Sequence, residues 1–299
     1  MHRFFTLLLA LILFLPAAAS AATVVTSFYP VWLLTLNLTS GLEDVTVRNL
    51  AAPETGCLHD YTLMPSDMMT LSRADALLIN GAGMESFLPM VLEACPDLLV
   101  IDASEGIPLL EEDDEGEESG HSGHDHEEEG NSHIWLDPAR YSAMAENLAE
   151  GLIRIMPEHA DVIHANLSSL KARLSGLASE MKSSLAGLNG RDIIIMHEAF
   201  PYFAEACGLH VIEIVDKEPE DNLPASRLVS LIKTAYACNP LPLVIRSTEE
   251  DPAVSVLAAE TGVPVCALNT LASGPYDPPL DYYETMMRQN LLLLTTAIQ

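Results

Sequence analysis

"PEHADVIHANLSSLKARLSGLASEMKSSLAGLNG" (residues 157–190) is the most regular stretch of this 299-residue chain. Its apolar side chains fall at Ile163, Leu167, Leu170, Leu174, Leu177, Met181, Leu185 and Leu188. Steps of three and four put them on one stripe of a helix. Pro157 suits the first helical position, and "GLNG" closes the run. Such a helix would hold about 30 residues and be about 45 Å long at 1.5 Å per residue. It lies mid-chain without a Gly or Pro run, so it reads as a stiff strut between two lobes rather than a flexible tether. A second helix precedes it, capped by Asp137 with Pro138 at its first position and running to about Ile155.

Both flanks of the strut alternate β-rich runs with helical patterns. The N-terminal strand candidates are "TVVTSF" (23–28), "VTVRNL" (45–50), "ALLIN" (76–80) and "LLVIDA" (98–103). The C-terminal ones are "DIIIM" (192–196), "HVIEIV" (210–215), "LVIRS" (243–247) and "PVCAL" (264–268). Strands separated by helices imply right-handed βαβ units and parallel sheets. The expected fold class is α/β: two lobes, each with a four-stranded parallel sheet and flanking helices, joined by a long rigid helix. The expected divisions are a signal peptide at 1–22, an N-terminal lobe at 23–156, a linker helix at 157–188 and a C-terminal lobe at 189–299.

The opening "MHRFFTLLLALILFLPAAASAA" has a charged start, an apolar run from Phe4 to Leu15, Pro16, and an Ala-x-Ala pattern cleavable after Ala19 or Ala21. A spanning helix needs roughly 20 apolar residues, so this is read as a cleaved secretory signal. No Cys lies at the cleavage region, and a soluble periplasmic monomer is expected rather than a lipid-anchored one. The formal net charge of −29 argues against nucleic acid or an anionic membrane as partner and favours cations. Cys57, Cys95, Cys207, Cys238 and Cys266 show no C-x-x-C spacing, which excludes a zinc ribbon or thioredoxin-like site. An exported chain can form disulfides. Cys238 and Cys266, flanking neighbouring predicted strands, are the preferred pair.

Residues 111–130 carry eleven Asp or Glu, three His and four Gly, with no Lys, Arg or large apolar side chain. Nothing there offsets the entropy of ordering, so a mobile acidic and His-bearing loop is expected over 111–132. The chemistry-bearing positions lie elsewhere. His59 in "CLHDY", His133 in "SHIWLDP", His197 in "IMHEAF" and Asn269 in "ALNTL" sit near strand ends or helix starts. In open parallel sheets ligands bind outside the carboxyl ends of the strands, so side chains from both lobes can converge on one cleft. Their wide spacing matches no local metal motif. Glu198 beside His197 and Asp60 beside His59 are candidates to orient imidazoles. "NGAGMESF" lacks the third Gly of a dinucleotide fingerprint, and most Met residues, Met68, Met144 and Met181 among them, fall at helical spacing and read as packing.

"LHDYTLMPSDMMTLSRADALLINGAGMESFL" (58–88), "SHIWLDP" (132–138) and "MHEAFPYFAEACGL" (196–209) resemble, in order, the three signature blocks of the zinc-binding receptors of ABC-type importers, the cluster A-I periplasmic metal-binding proteins. The resemblance runs from about Val24 to the C-terminus. It implies a C-clamp of two α/β lobes on a long helix, with one transition metal in the cleft held by His59, His133 and His197. It also implies an inner-membrane ABC permease and its ATPase as partners. The fourth metal position departs from the pattern: many relatives have Glu where this chain has Leu58, and others have Asp where it has Asn269. Water, the Asn269 carbonyl and a Cys57 thiolate are the donors open to complete the shell.

Three imidazoles favour Zn²⁺ over Mn²⁺, whose receptors in this family use two His and two carboxylates. Affinity alone does not separate Cu²⁺ or Ni²⁺. Each His binds metal only when neutral, so affinity is expected to fall below about pH 6.5. His121, His124 and His126 belong to the loop and are expected to bind metal only weakly. The leading reading is capture of zinc for an importer. The alternatives are a receptor for manganese or another transition metal, a metal-buffering or adhesion protein of the same fold, and a zinc hydrolase with Glu198 as base.

Overall fold

A computed structural model describes residues 22–58, 61–111, 130–215, 223–246 and 252–299. The first lobe contains β1 (Ala22–Thr26), α1 (Tyr29–Leu38), β2 (Val45–Asn49), α2 (Pro65–Leu71), β3 (Ala76–Ile79), α3 (Leu88–Ala94) and β4 (Leu99–Asp102). Then follow α4 (Pro138–Ile155) and α5 (Ala160–Ser184). The second lobe contains β5 (Asp192–Ile195), α6 (Pro201–Ala206), β6 (His210–Ile214), α7 (Ala225–Cys238), β7 (Leu243–Arg246), α8 (Pro252–Thr261), β8 (Val265–Leu268) and α9 (Tyr282–Ile298).

All eight expected strands form, within a few residues of the apolar runs that announced them. The sheets are parallel and have the same order, β2-β1-β3-β4 and β6-β5-β7-β8. Helices cover the faces, so strands such as β3, buried at every residue, are continuous apolar runs rather than alternating ones. In each sheet the chain winds one way and then the other, which leaves a switch point between β1 and β3 and another between β5 and β7. Such points form the ligand crevice of open α/β sheets.

The strut is shorter than its periodicity suggested. Pro157–His159 and Ala186–Leu188 are 3₁₀ turns, and α5 spans 25 residues, about 37 Å. Gly187 sits where the α-helix has already ended, a residue whose backbone freedom disfavours helix. Ile163, Leu170, Leu174, Leu177 and Met181 are buried as the stripe requires, and α5 packs on α1, α4 and α9. Polar pins fix it to both lobes. Asn166 Nδ2 donates to Leu38 O and Ser40 O, and Arg173 pairs at 2.6 Å with buried Glu284 of α9.

The chain beyond β8 returns to the N-terminal lobe. Tyr29 Oη donates to Pro275 O, Gly274 N to Pro53 O, and Asn37 Nδ2 to Leu280 O. A Cβ on Gly274 would lie 2.4 Å from Tyr29 Oη, so only glycine permits this approach. One apolar core therefore runs through the N-terminal lobe, the strut and the inner layer of the C-terminal lobe. A second, smaller cluster around Ile194, Leu231, Leu243, Val254 and Leu257 fills the outer layer of the C-terminal lobe.

The expected Cys238–Cys266 disulfide is not formed: all five cysteines are free thiols, with Cys238 exposed at the end of α7 and Cys266 buried in β8. Residues 1–21 of the expected signal segment lie outside the described residues, and Ala22 opens β1. Among the described residues, no helix is long and apolar enough to cross a membrane.

Candidate metal centre

His133 occupies the turn that leads into a 3₁₀ segment, Ile134–Leu136, and then into α4, whose cap is Asp137 with its Oδ1 accepting from Ala139 N. Its ring is 1% exposed. The backbone N–H of His133 donates to Asn131 Oδ1 at 2.9 Å, and its Nδ1 lies 3.3 Å from the same oxygen. An amide oxygen only accepts, so Nδ1 carries the ring proton and Nε2 presents a lone pair. Trp135 packs 5.0 Å from the ring and donates its Nε1–H to Thr270 O, on the loop after β8.

His197 stands two residues beyond β5, at the second switch point. Its ring centroid is 6.2 Å from that of His133, with the planes nearly perpendicular. Its Nδ1 accepts the Ala199 N–H at 3.1 Å. The neutral ring then carries its proton on Nε2, and offering Nε2 to an ion requires that contact to be released. The two lobes thus bring two of the expected ligands together, one preset and one that must adjust.

Two further donors face His133 Nε2. Cys57 Sγ lies 3.6 Å away and Glu198 Oε1 3.8 Å. Burial pushes the Cys57 thiol up to about 12; the Arg246 guanidinium opposes the rise and Glu198 adds to it. Arg246 closes β7 on the same side, and its Nε is buried with no hydrogen-bond partner. Among the described residues, no three His, Cys, Asp or Glu side chains already surround one point. His59, Asp60, His121, His124 and His126 lie outside the described residues.

Asn269 is used within its own loop. Its Oδ1 accepts the Leu271 N–H, its own N–H donates to Asn290 Oδ1, and its carbonyl accepts from Asn290 Nδ2. Leu271 is held at φ +56°, a left-handed conformation that costs energy for a branched residue, and the Asn269 oxygen helps to hold it.

Two supporting roles had no local signature. Asn131, besides setting the His133 tautomer, donates from Nδ2 to Glu198 O at 2.8 Å, so one amide ties both lobes at the site. Glu85 of "NGAGMESF" is buried and accepts the N–H groups of Asn80 and Gly81, while Asn80 Nδ2 donates to Ser132 O beside His133. A Cβ on Gly81 would collide with the Asp102 carboxylate, which is why that position is glycine. The stretch carries no dinucleotide fingerprint. Its work is to brace the His133 turn.

The model of the zinc-uptake complex component A periplasmic family, ZnuA, matches residues 24–297. The chain belongs to this family. It is a family of zinc-uptake receptors rather than enzymes. Among similar proteins, the high-affinity zinc uptake system protein ZnuA of Yersinia pestis is 29% identical over 89% of this chain and 88% of its own length. The zinc-binding protein AdcA of Streptococcus pyogenes serotype M6 is 27% identical over 94% of this chain, which spans 57% of AdcA. A crystal structure of ZnuA superposes with a TM-score of 0.76 at 25% identity, covering 93% of this chain and all of that one.

Proposed function

We propose that this protein is an exported receptor that captures one Zn²⁺ between its lobes and delivers it to an inner-membrane ABC permease driven by its ATPase. The ligands are His59, His133 and His197, with a fourth donor completing a tetrahedral shell. One observation carries the reading: His133 is buried with its proton held on Nδ1 by Asn131, so that Nε2 carries the lone pair, and its ring centroid lies 6.2 Å from that of His197 of the opposite lobe. Family membership supports zinc as the cargo, and nitrogen-rich tetrahedral donor sets suit Zn²⁺.

Residues 1–22 are the secretory signal in this reading, and the mature protein works as a periplasmic monomer. His121, His124 and His126, within the acidic insert, gather zinc loosely ahead of the tight site. The continuous core and the pinned strut restrict hinge motion, so capture proceeds by local adjustment around His197 and release is driven at the permease. Titration calorimetry tests the ligand set. A structural zinc site worth roughly 10–16 kcal/mol spread over four donors gives about 3 kcal/mol each. His59→Ala, His133→Ala and His197→Ala are therefore each expected to weaken binding on the order of 100-fold. Unchanged affinity in the triple variant overturns the reading.

A further inference from the structure

The geometry points to the Cys57 thiolate as a zinc ligand beside His133, which puts one sulfur in the site. This rests on the receptor reading and adds the donor that the histidines leave open. In a tetrahedral zinc site with nitrogen near 2.05 Å and sulfur near 2.3 Å, the two donor atoms stand about 3.6 Å apart. Cys57 Sγ and His133 Nε2 are 3.6 Å apart, so the pair already spans one edge of the polyhedron. Glu198 Oε1 lies farther from His133 Nε2, at 3.8 Å.

Two other protein candidates are set aside by their surroundings. The Asn269 carboxamide oxygen and carbonyl are both engaged, with Leu271 and Asn290. Leu58 is wholly buried in the main core and brings only hydrocarbon. Charge points the same way. Neutral imidazoles leave both charges of Zn²⁺ uncompensated, and Arg246 closes β7 with its Nε buried and without a hydrogen-bond partner. An anionic sulfur bound directly to the ion offsets one of those charges. On binding, the S–H bond breaks, the zinc–sulfur bond forms, and the proton passes to solvent.

The test loads the full-length mature protein with Co²⁺ and with Zn²⁺. Wild type is expected to show a near-ultraviolet thiolate-to-cobalt charge-transfer band and, by zinc X-ray absorption, one sulfur neighbour at about 2.3 Å. Cys57→Ser keeps the other four cysteines. It is expected to lose the band and to bind zinc more weakly by at least the roughly 10–100-fold that loss of an outer partner costs. Cys57→Asp, which restores an anionic donor, is expected to recover part of the affinity without the band. A wild-type protein with no sulfur neighbour, or a Cys57→Ser protein with unaltered affinity, overturns the inference. In either case, continued loss of binding in His133→Ala leaves the receptor reading standing. Failure of wild type to bind zinc removes both. The absorption measurement needs no variant, so a folding defect in Cys57→Ser does not shelter the inference.

Discussion

The two sides of the cleft are built differently. On the N-terminal side His133 is buried, its tautomer is set by Asn131, and the turn beneath it is braced by Asn80 and Glu85. On the C-terminal side His197 spends its Nδ1 on a backbone N–H. Its sheet is covered on the outside by α7 and α8, whose apolar contacts form a cluster separate from the main core. A preset donor facing an adjustable one suits reversible capture. In the proposed site the first would fix where the ion sits, and the second would close on it at the cost of one hydrogen bond.

Four experiments bear on this contrast. The largest effect is expected from core truncation. Leu174→Ala in the strut and Leu231→Ala in α7 remove fully buried side chains and should each cost about 2–5 kcal/mol. The first should lower the unfolding free energy of the whole molecule. The second should first loosen hydrogen-exchange protection in α7 and α8 alone; equal loss across both lobes would show that the two clusters unfold as one.

Next comes the brace. Burial holds the Glu85 carboxyl up to about 7, above its ordinary 4.5. The folded state thus keeps a proton that the unfolded chain gives up. This contribution is full below pH 4.5 and is lost as pH rises through 7, on the order of 3 kcal/mol. Urea unfolding at pH 5 and pH 8 should show a smaller difference in Glu85→Gln than in wild type; identical pH slopes would refute it.

Asn131→Ala frees the Nδ1 proton of His133 and cuts a tie between the lobes. Zinc affinity is expected to fall about 10–100-fold, read by competition with a chelating dye, and no change would mean the preset tautomer is immaterial. The smallest effect belongs to the insert. Deleting residues 112–129 should leave the tight site untouched in calorimetry and abolish only weaker binding, whereas loss of the tight site would place its ligands in the insert.

Much of the architecture was open to reading along the chain, because it is written in near neighbours. The apolar period of α5, the unbroken β runs and the Asp137–Pro138 cap each depend on residues a few positions apart. Errors came where a distant surface decides. Cys238 and Cys266, near in a strand-and-helix scheme, are separated by exposure of one and burial of the other. Asn269, placed correctly on the loop after β8, turned out to shape that loop.

By itself, the amino-acid order determined two parallel-sheet lobes and the strut between them, and singled out candidate metal-binding histidines. Only the folded molecule decided which atoms meet: Cys57 Sγ against His133 Nε2 across 76 positions, and Asn131 serving ring and lobe together. The reason is physical. Periodicity records contacts made along one element, whereas donors supplied by separate elements meet only through packing, which leaves no fixed spacing in the chain.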